Sequence, residues 1–165
     1  MAQLTPKERL QPSLLDRLVA PHPEQRGTPL AISVEVLRES VRRELGALLS
    51  AASLELAEPE LEHCAQARRS SLNFGMPALS GRTASSVNLP QLERQLARAI
   101  REFEPRIAAH SLRVRSVGAA ASRSHNRLVF EIEGELWAQP LPQKLLLRTE
   151  LDLESGQVRV EEFRG

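Results

Sequence analysis

Three glutamates at alternate positions, Glu131, Glu133 and Glu135, and the pair Glu102 and Glu104 are the side chains whose types and spacing could do chemistry. Two carboxyl groups on one face suit glycoside hydrolysis, with one donating a proton and the other acting as base or nucleophile. Alternate residues of a strand lie about 7 Å apart, within reach of that reaction. The surroundings argue against it. Acid duty needs one carboxyl held protonated, whereas Arg and Lys on neighbouring strands keep carboxylates ionised. Sugar sites also use aromatic platforms, and aromatic residues form only 3% of this chain, with no Tyr and the single Trp137. A glycoside hydrolase therefore stands as the alternative function.

Other reaction classes find less support. His22, His63, His110 and His125 lie in proline-rich or loop contexts without a nucleophile elbow. His63 and Cys64 are adjacent donors with no second Cys or His at metal-ligand spacing, so no metal site is expected. Gly75 and Gly81 stand in a Ser/Pro-rich stretch and not after a strand, which excludes a phosphate-cradling loop, and no cofactor is expected. The 22 basic and 21 acidic residues leave a net charge of +1, too small a field to gather nucleic acid or an anionic membrane. The few aromatics offer no stacking platform for single strands.

Recognition must therefore be local, and its best candidate is Glu104-Pro105-Arg106, inside Phe103-Glu-Pro-Arg-Ile107. Proline costs a helix about 3 kcal/mol and pushes the preceding residue out of helical geometry. Two opposite charges thus project from a rigid bend, a docking corner, or else lock that corner as an internal ion pair. Arg94, Arg98 and Arg101, at i, i+4 and i+7 just before it, form a basic ridge that serves either docking or simple solvation. Only Lys7 and Lys144 among the basic residues are lysine, which fits a GC-rich genome and also the bidentate pairing that interfaces use.

These residues need elements to position them. A chain of 165 residues predicts one domain, residues 31–165, with an extended N-terminal arm, residues 1–30, broken by Pro6, Pro12, Pro21, Pro23 and Pro29. Within the arm Leu10, Leu14, Leu15 and Leu18 have helical spacing and need something to dock on. Ser33 reads as an N-cap, followed by Val34, Leu37, Val41, Leu45, Leu48, Leu49 and Ala52 on one side of a long helix. Residues 57–88 lose periodicity, a functional loop or a disordered one, with Leu72, Phe74, Met76 and Leu79 as anchors. Asn88 caps a second helix whose apolar stripe is Leu92, Leu96, Ala99, Ile100 and Phe103. The period then changes to two, predicting strands near 111–117, 127–137, 144–153 and 157–163 in an antiparallel meander, whose outer charges alternate in sign between the first three strands. The fold class expected is α+β, two main helices packed on a four-stranded, mostly antiparallel sheet. One cysteine, no apolar run near 18 residues and no leader pattern predict a cytoplasmic protein without membrane insertion.

Several segments, in this order, resemble a known family. They are Arg9-Leu-Gln-Pro-Ser-Leu-Leu-Asp-Arg-Leu18, Leu37-Arg-Glu-Ser-Val-Arg-Arg-Glu-Leu45, Ser71-Leu-Asn-Phe-Gly-Met-Pro77 with Leu79-Ser-Gly81, Phe103-Glu-Pro-Arg-Ile107, and Leu147-Arg-Thr-Glu-Leu-Asp-Leu153 with Ser155-Gly156. Together they resemble the TssE subunit of the type VI secretion baseplate, related to a small wedge protein of contractile phage tails that carries an old lysozyme-like label. The resemblance implies a non-enzymatic subunit of each baseplate wedge, held by TssF, TssG and TssK, on which the TssB/TssC sheath begins to polymerise at a membrane-docked baseplate. It also implies intersubunit charge pairing by Glu104 and Arg106, with Pro105 fixing their geometry. The lysozyme-like label makes the alternative a peptidoglycan hydrolase.

Overall fold

Capping and periodicity set where the long elements begin and end. The computed structural model describes residues 13–19, 33–54, 63–79, 81–117, 126–138 and 141–163. Most of the expected arm, including Leu10, lies outside these residues, as do His22, His125, residues 55–62, Ser80 and residues 118–125. The helices are α1 (Leu14–Val19), α2 (Val34–Ser50), α3 (Ala65–Arg68) and α4 (Leu89–Phe103). The strands are β1 (Arg113–Ser116), β2 (Arg127–Leu136), β3 (Gln143–Asp152) and β4 (Val158–Glu162).

Ser33 caps α2, its side chain accepting Val36 N–H at 3.3 Å. Asn88 caps α4 in the same way through Gln91 N–H at 3.0 Å, and Pro90 sits in the first turn, where its missing N–H costs nothing. At the far end Pro105 forces Glu104 to φ −124° and ψ 74°, and α4 stops there.

The strands form one antiparallel sheet in the order β1-β2-β3-β4, the α+β architecture that the change of period predicts. α2 lies against β4, α4 against β1, and the two helices touch each other. Leu37, Val41, Leu45, Leu48 and Leu49 of α2 and Leu92, Leu96 and Ile100 of α4 meet Leu128, Phe130, Ile132, Leu136, Leu145, Leu147 and Leu151 of the sheet. The opposite face is a ladder of charge: the register places Arg115 beside Glu131, Glu131 beside Arg148, and Arg148 beside Glu161. Each neighbour in that row has the opposite sign, which favours this pairing over orders that set like charges side by side.

The aperiodic segment holds α3 and two 3-10 turns, Ser71–Asn73 and Ala84–Ser86. It is pinned by backbone bonds, Ser53 N–H to Met76 O at 2.7 Å and Met76 N–H to Ala51 O at 2.9 Å. Gly75 is required at this point, because at φ +128° a Cβ would lie 2.5 Å from Ala51 O. Met76 and Leu79 are buried anchors and Phe74 stacks edge-on to Phe103 at 5.4 Å, whereas Leu72 faces solvent and anchors nothing. This single 3-10 turn buries Asn73 alone, and Leu72 falls on its outer side.

Candidate docking site

The corner after α4 is fastened to the end of β2 by main-chain bonds. Ala108 N–H donates to Glu135 O at 2.9 Å and Trp137 N–H to Arg106 O at 2.8 Å, with Ser111 Oγ accepting Glu135 N–H at 2.8 Å. Gly134 permits the close approach: a Cβ there would stand 2.8 Å from Ile107 Cγ2.

Within this frame Glu104 turns inward and is only 3% exposed, while Pro105 is exposed and Arg106 half-buried. The pair does not project as two free charges. Arg106 Nε donates to Glu104 Oε1 at 2.7 Å and Nη2 to Glu104 Oε2 at 2.5 Å, the planar fork that matches a carboxylate. The Arg106 N–H adds a third bond to Glu104 Oε1 at 3.2 Å. A proline bend brings the carboxylate and guanidinium of residues two apart onto the same side.

The corner is also joined to α2. Arg106 Nη2 donates to Glu44 Oε2 at 2.5 Å, Nη1 donates to Ser40 Oγ at 3.2 Å, and Ser40 Oγ–H donates to Glu44 Oε1 at 3.3 Å. Burial works against the Arg106 charge, but the hydrogen bonds and fields of Glu104 and Glu44 outweigh it and hold the guanidinium above its ordinary pKa. Next to Glu44, Arg43 donates to Asp16 Oδ2 of α1 at 2.9 Å and approaches Ser13 Oγ at 3.4 Å. The Arg43 hydrogen bond, opposed by some desolvation, keeps the Asp16 carboxyl below its ordinary pKa. Asp16, Arg43, Glu44, Arg106 and Glu104 thus form one chain of alternating charge across α1, α2 and the corner.

The structure brings Glu104, Pro105 and Arg106 together and leaves the ridge outside this network. Arg94, Arg98 and Arg101 are exposed on the outer side of α4. Arg98 also lines a cavity of about 140 Å³ with Arg68, Asn73, Gln95 and Glu102. Sequence reasoning gave no individual role to Ser40, Glu44 or Asp16, and Arg43, which reads from the sequence as part of a solvated helix face, is instead paired with Asp16. The available signal was Ser40 itself, a polar residue between Leu37 and Val41 on the apolar stripe, with Glu44 one turn further on.

The carboxylates first considered for chemistry are paired with cations or stand beside them in the strand register. Glu102 accepts from Arg69 Nε at 3.0 Å, Lys144 Nζ lies 3.4 Å from Glu133, Glu131 stands between Arg115 and Arg148, and Glu135 is registered with Lys144. His63 and Cys64 are exposed at the start of α3. No helix among the described residues is long and apolar enough to cross a membrane.

Comparison with known proteins places this geometry in context. The family model described as baseplate wedge protein gp25 matches residues 35–141, a span that holds α2, the pinned loop, α4, the corner and β2. No curated protein and no solved structure matches the chain. With more than half its length matched, including both sides of the Glu44–Arg106–Glu104 network, the chain belongs to the gp25/TssE family of baseplate wedge proteins.

Proposed function

We propose that this chain is a non-enzymatic subunit of a type VI secretion baseplate, which docks through the corner and the α4 ridge and gives the contractile sheath its first point of growth. Family membership makes it a structural component of a contractile-tail type of baseplate, assembling with other baseplate subunits. The finer reading names TssF, TssG and TssK as the subunits that hold it, TssB/TssC as the sheath, and the cytoplasmic side of a membrane-docked baseplate as its place.

The observation that carries this reading is the corner network. A nearly buried carboxylate, a forked arginine and a second carboxylate from another helix make a bend of fixed shape inside the segment that defines the family. Glu104 supports the bend from within, and Pro105, the open side of Arg106 and the exposed Arg94, Arg98 and Arg101 face partner subunits. Both Glu104 oxygens are taken by the Arg106 fork and the residue is 3% exposed, which closes this carboxylate to a substrate and favours docking over peptidoglycan hydrolysis.

Affinity capture tests the reading. Arg94→Glu with Arg101→Glu changes exposed side chains, so folding is retained while baseplate subunits are expected to disappear from the captured set. Arg106→Ala is expected to release them too. Folded variants that keep every partner would remove the ridge and the corner from the interface. Peptidoglycan cleavage by the wild type that is lost in Glu104→Gln would replace the structural role with an enzymatic one.

A further inference from the structure

α4 carries five charged side chains and sorts them by sign. Glu93 and Glu102 are nine positions apart, so at about 100° per residue they stand on opposite flanks of the helix. Each is tied down there. Glu93 Oε1 accepts Ser116 N–H and Ser116 Oγ–H of β1, each at 2.7 Å, and these bonds, the hydroxyl first, hold the Glu93 carboxyl below its ordinary pKa. Glu102 Oε2 accepts from Arg69 Nε, next to α3, at 3.0 Å.

The strip between those flanks, facing away from the core, holds Arg94, Arg98 and Arg101 along about 10 Å of the axis and no acid. Arg94 and Arg101 make no ion pair among the described residues. The middle of the strip is not flat. Beside Arg98 opens the cavity of about 140 Å³ whose wall includes Gln95 and Arg68, and whose one carboxylate, Glu102, already meets Arg69. The outer row of the sheet, by contrast, matches its own charges, alternating Arg115, Glu131, Arg148 and Glu161. A cationic field confined to one short strip suits a short anionic partner, whereas a nucleic acid needs a basic surface that follows its phosphates.

We propose that this strip binds an acidic segment of a partner protein, whose carboxylates pair with Arg94, Arg98 and Arg101 in turn, the middle one entering the cavity where Arg98 and Gln95 donate to it. Because Glu93 and Glu102 are already held on the flanks, neither has to be displaced for the segment to seat. The forked guanidinium groups match carboxylates in geometry as well as charge, so the strip selects an acidic segment over a neutral or basic one. This inference rests on the reading of the α4 ridge as a docking surface, and its test separates the two.

In the full chain a photo-cross-linking benzoylphenylalanine replaces Gln91, an exposed residue one turn before Arg94, so all three arginines stay in place. The chain is assembled with its baseplate subunits, irradiated, and the cross-linked peptide identified by mass spectrometry. A peptide rich in Asp and Glu is expected. Changing those acids to lysine is expected to weaken binding to the wild type by about tenfold or more and to restore binding to Arg94→Glu with Arg101→Glu. A neutral or basic peptide would leave the ridge a docking surface and overturn the acidic partner, whereas an assembled baseplate without a cross-link here would overturn both. Cross-linking to nucleic acid or lipid would also overturn the proposal. Gln95→Glu keeps the side-chain shape and adds a charge to the cavity wall, so it is expected to weaken the same segment, while Arg159→Glu, at a side chain 76% exposed on β4, leaves it unchanged. Equal losses in these two would assign the effect to net charge and overturn the placing of a carboxylate in the cavity.

Discussion

Replacing Arg106 by alanine would leave the Glu104 carboxylate, 3% exposed, with no guanidinium beside it. Removing one member of a buried pair costs about 3–5 kcal/mol, because the remaining charge stays desolvated. The urea midpoint of Arg106→Ala is expected to fall accordingly, and Arg106→Lys to lie between it and the wild type, since an ammonium cannot reproduce the fork. Glu104→Leu with Arg106→Met removes both charges and is expected to recover most of that stability while still failing to capture baseplate subunits. Recovery of both properties would make the network a folding device alone. Thr149 poses the opposite problem. Its Oγ1 is buried and has no hydrogen-bond partner among the described residues, with the residue 2% exposed beside Phe130 and Val160. Such a hydroxyl costs about 1–3 kcal/mol, so Thr149→Val is expected to raise the melting temperature in calorimetry, by about 2–4 °C for each kcal/mol recovered.

α1 is held to α2 by polar contacts. Ser13 and Asp16 meet Arg43, while Leu14, Leu15, Leu18 and Val19 are 58–70% exposed. The Asp16 carboxyl titrates below its ordinary 3.8, so its contribution is present above that pH and is lost as pH falls through the lower folded value. Protection of the α1 amides, taken relative to the intrinsic exchange rate at each pH, is therefore expected to fall on acidification below about pH 4, and in high salt at neutral pH, before protection in α2 or α4 changes. Unchanged α1 exchange would mean that the tether does not hold the helix. α2, α4 and the four strands were legible because each repeats one period for long enough to define a face. The corner partners were not. Glu44 and Ser40 lie more than sixty residues from Arg106, and helical spacing records which side a residue takes, not which distant residue it meets. Leu72 misled for a related reason, since apolar character without periodicity carries no direction.

At the scale of the molecule, sheet order was readable from the signs of the outer charges, and the row Arg115, Glu131, Arg148 and Glu161 realises it. Gly134 was not readable, because the need for a missing Cβ arises only where the 107–112 segment crosses β2. That crossing has a mechanical consequence. The bonds from Ala108 N–H to Glu135 O and from Trp137 N–H to Arg106 O run across the chain direction, so tension on the end of α4 is expected to load them side by side in shear instead of peeling them singly. Gly134→Ala, which pushes Ile107 off β2, is expected to lower the rupture force in single-molecule stretching more than it lowers the midpoint in urea. A pull applied at the corner would thus be passed into the sheet within a few residues of where it enters.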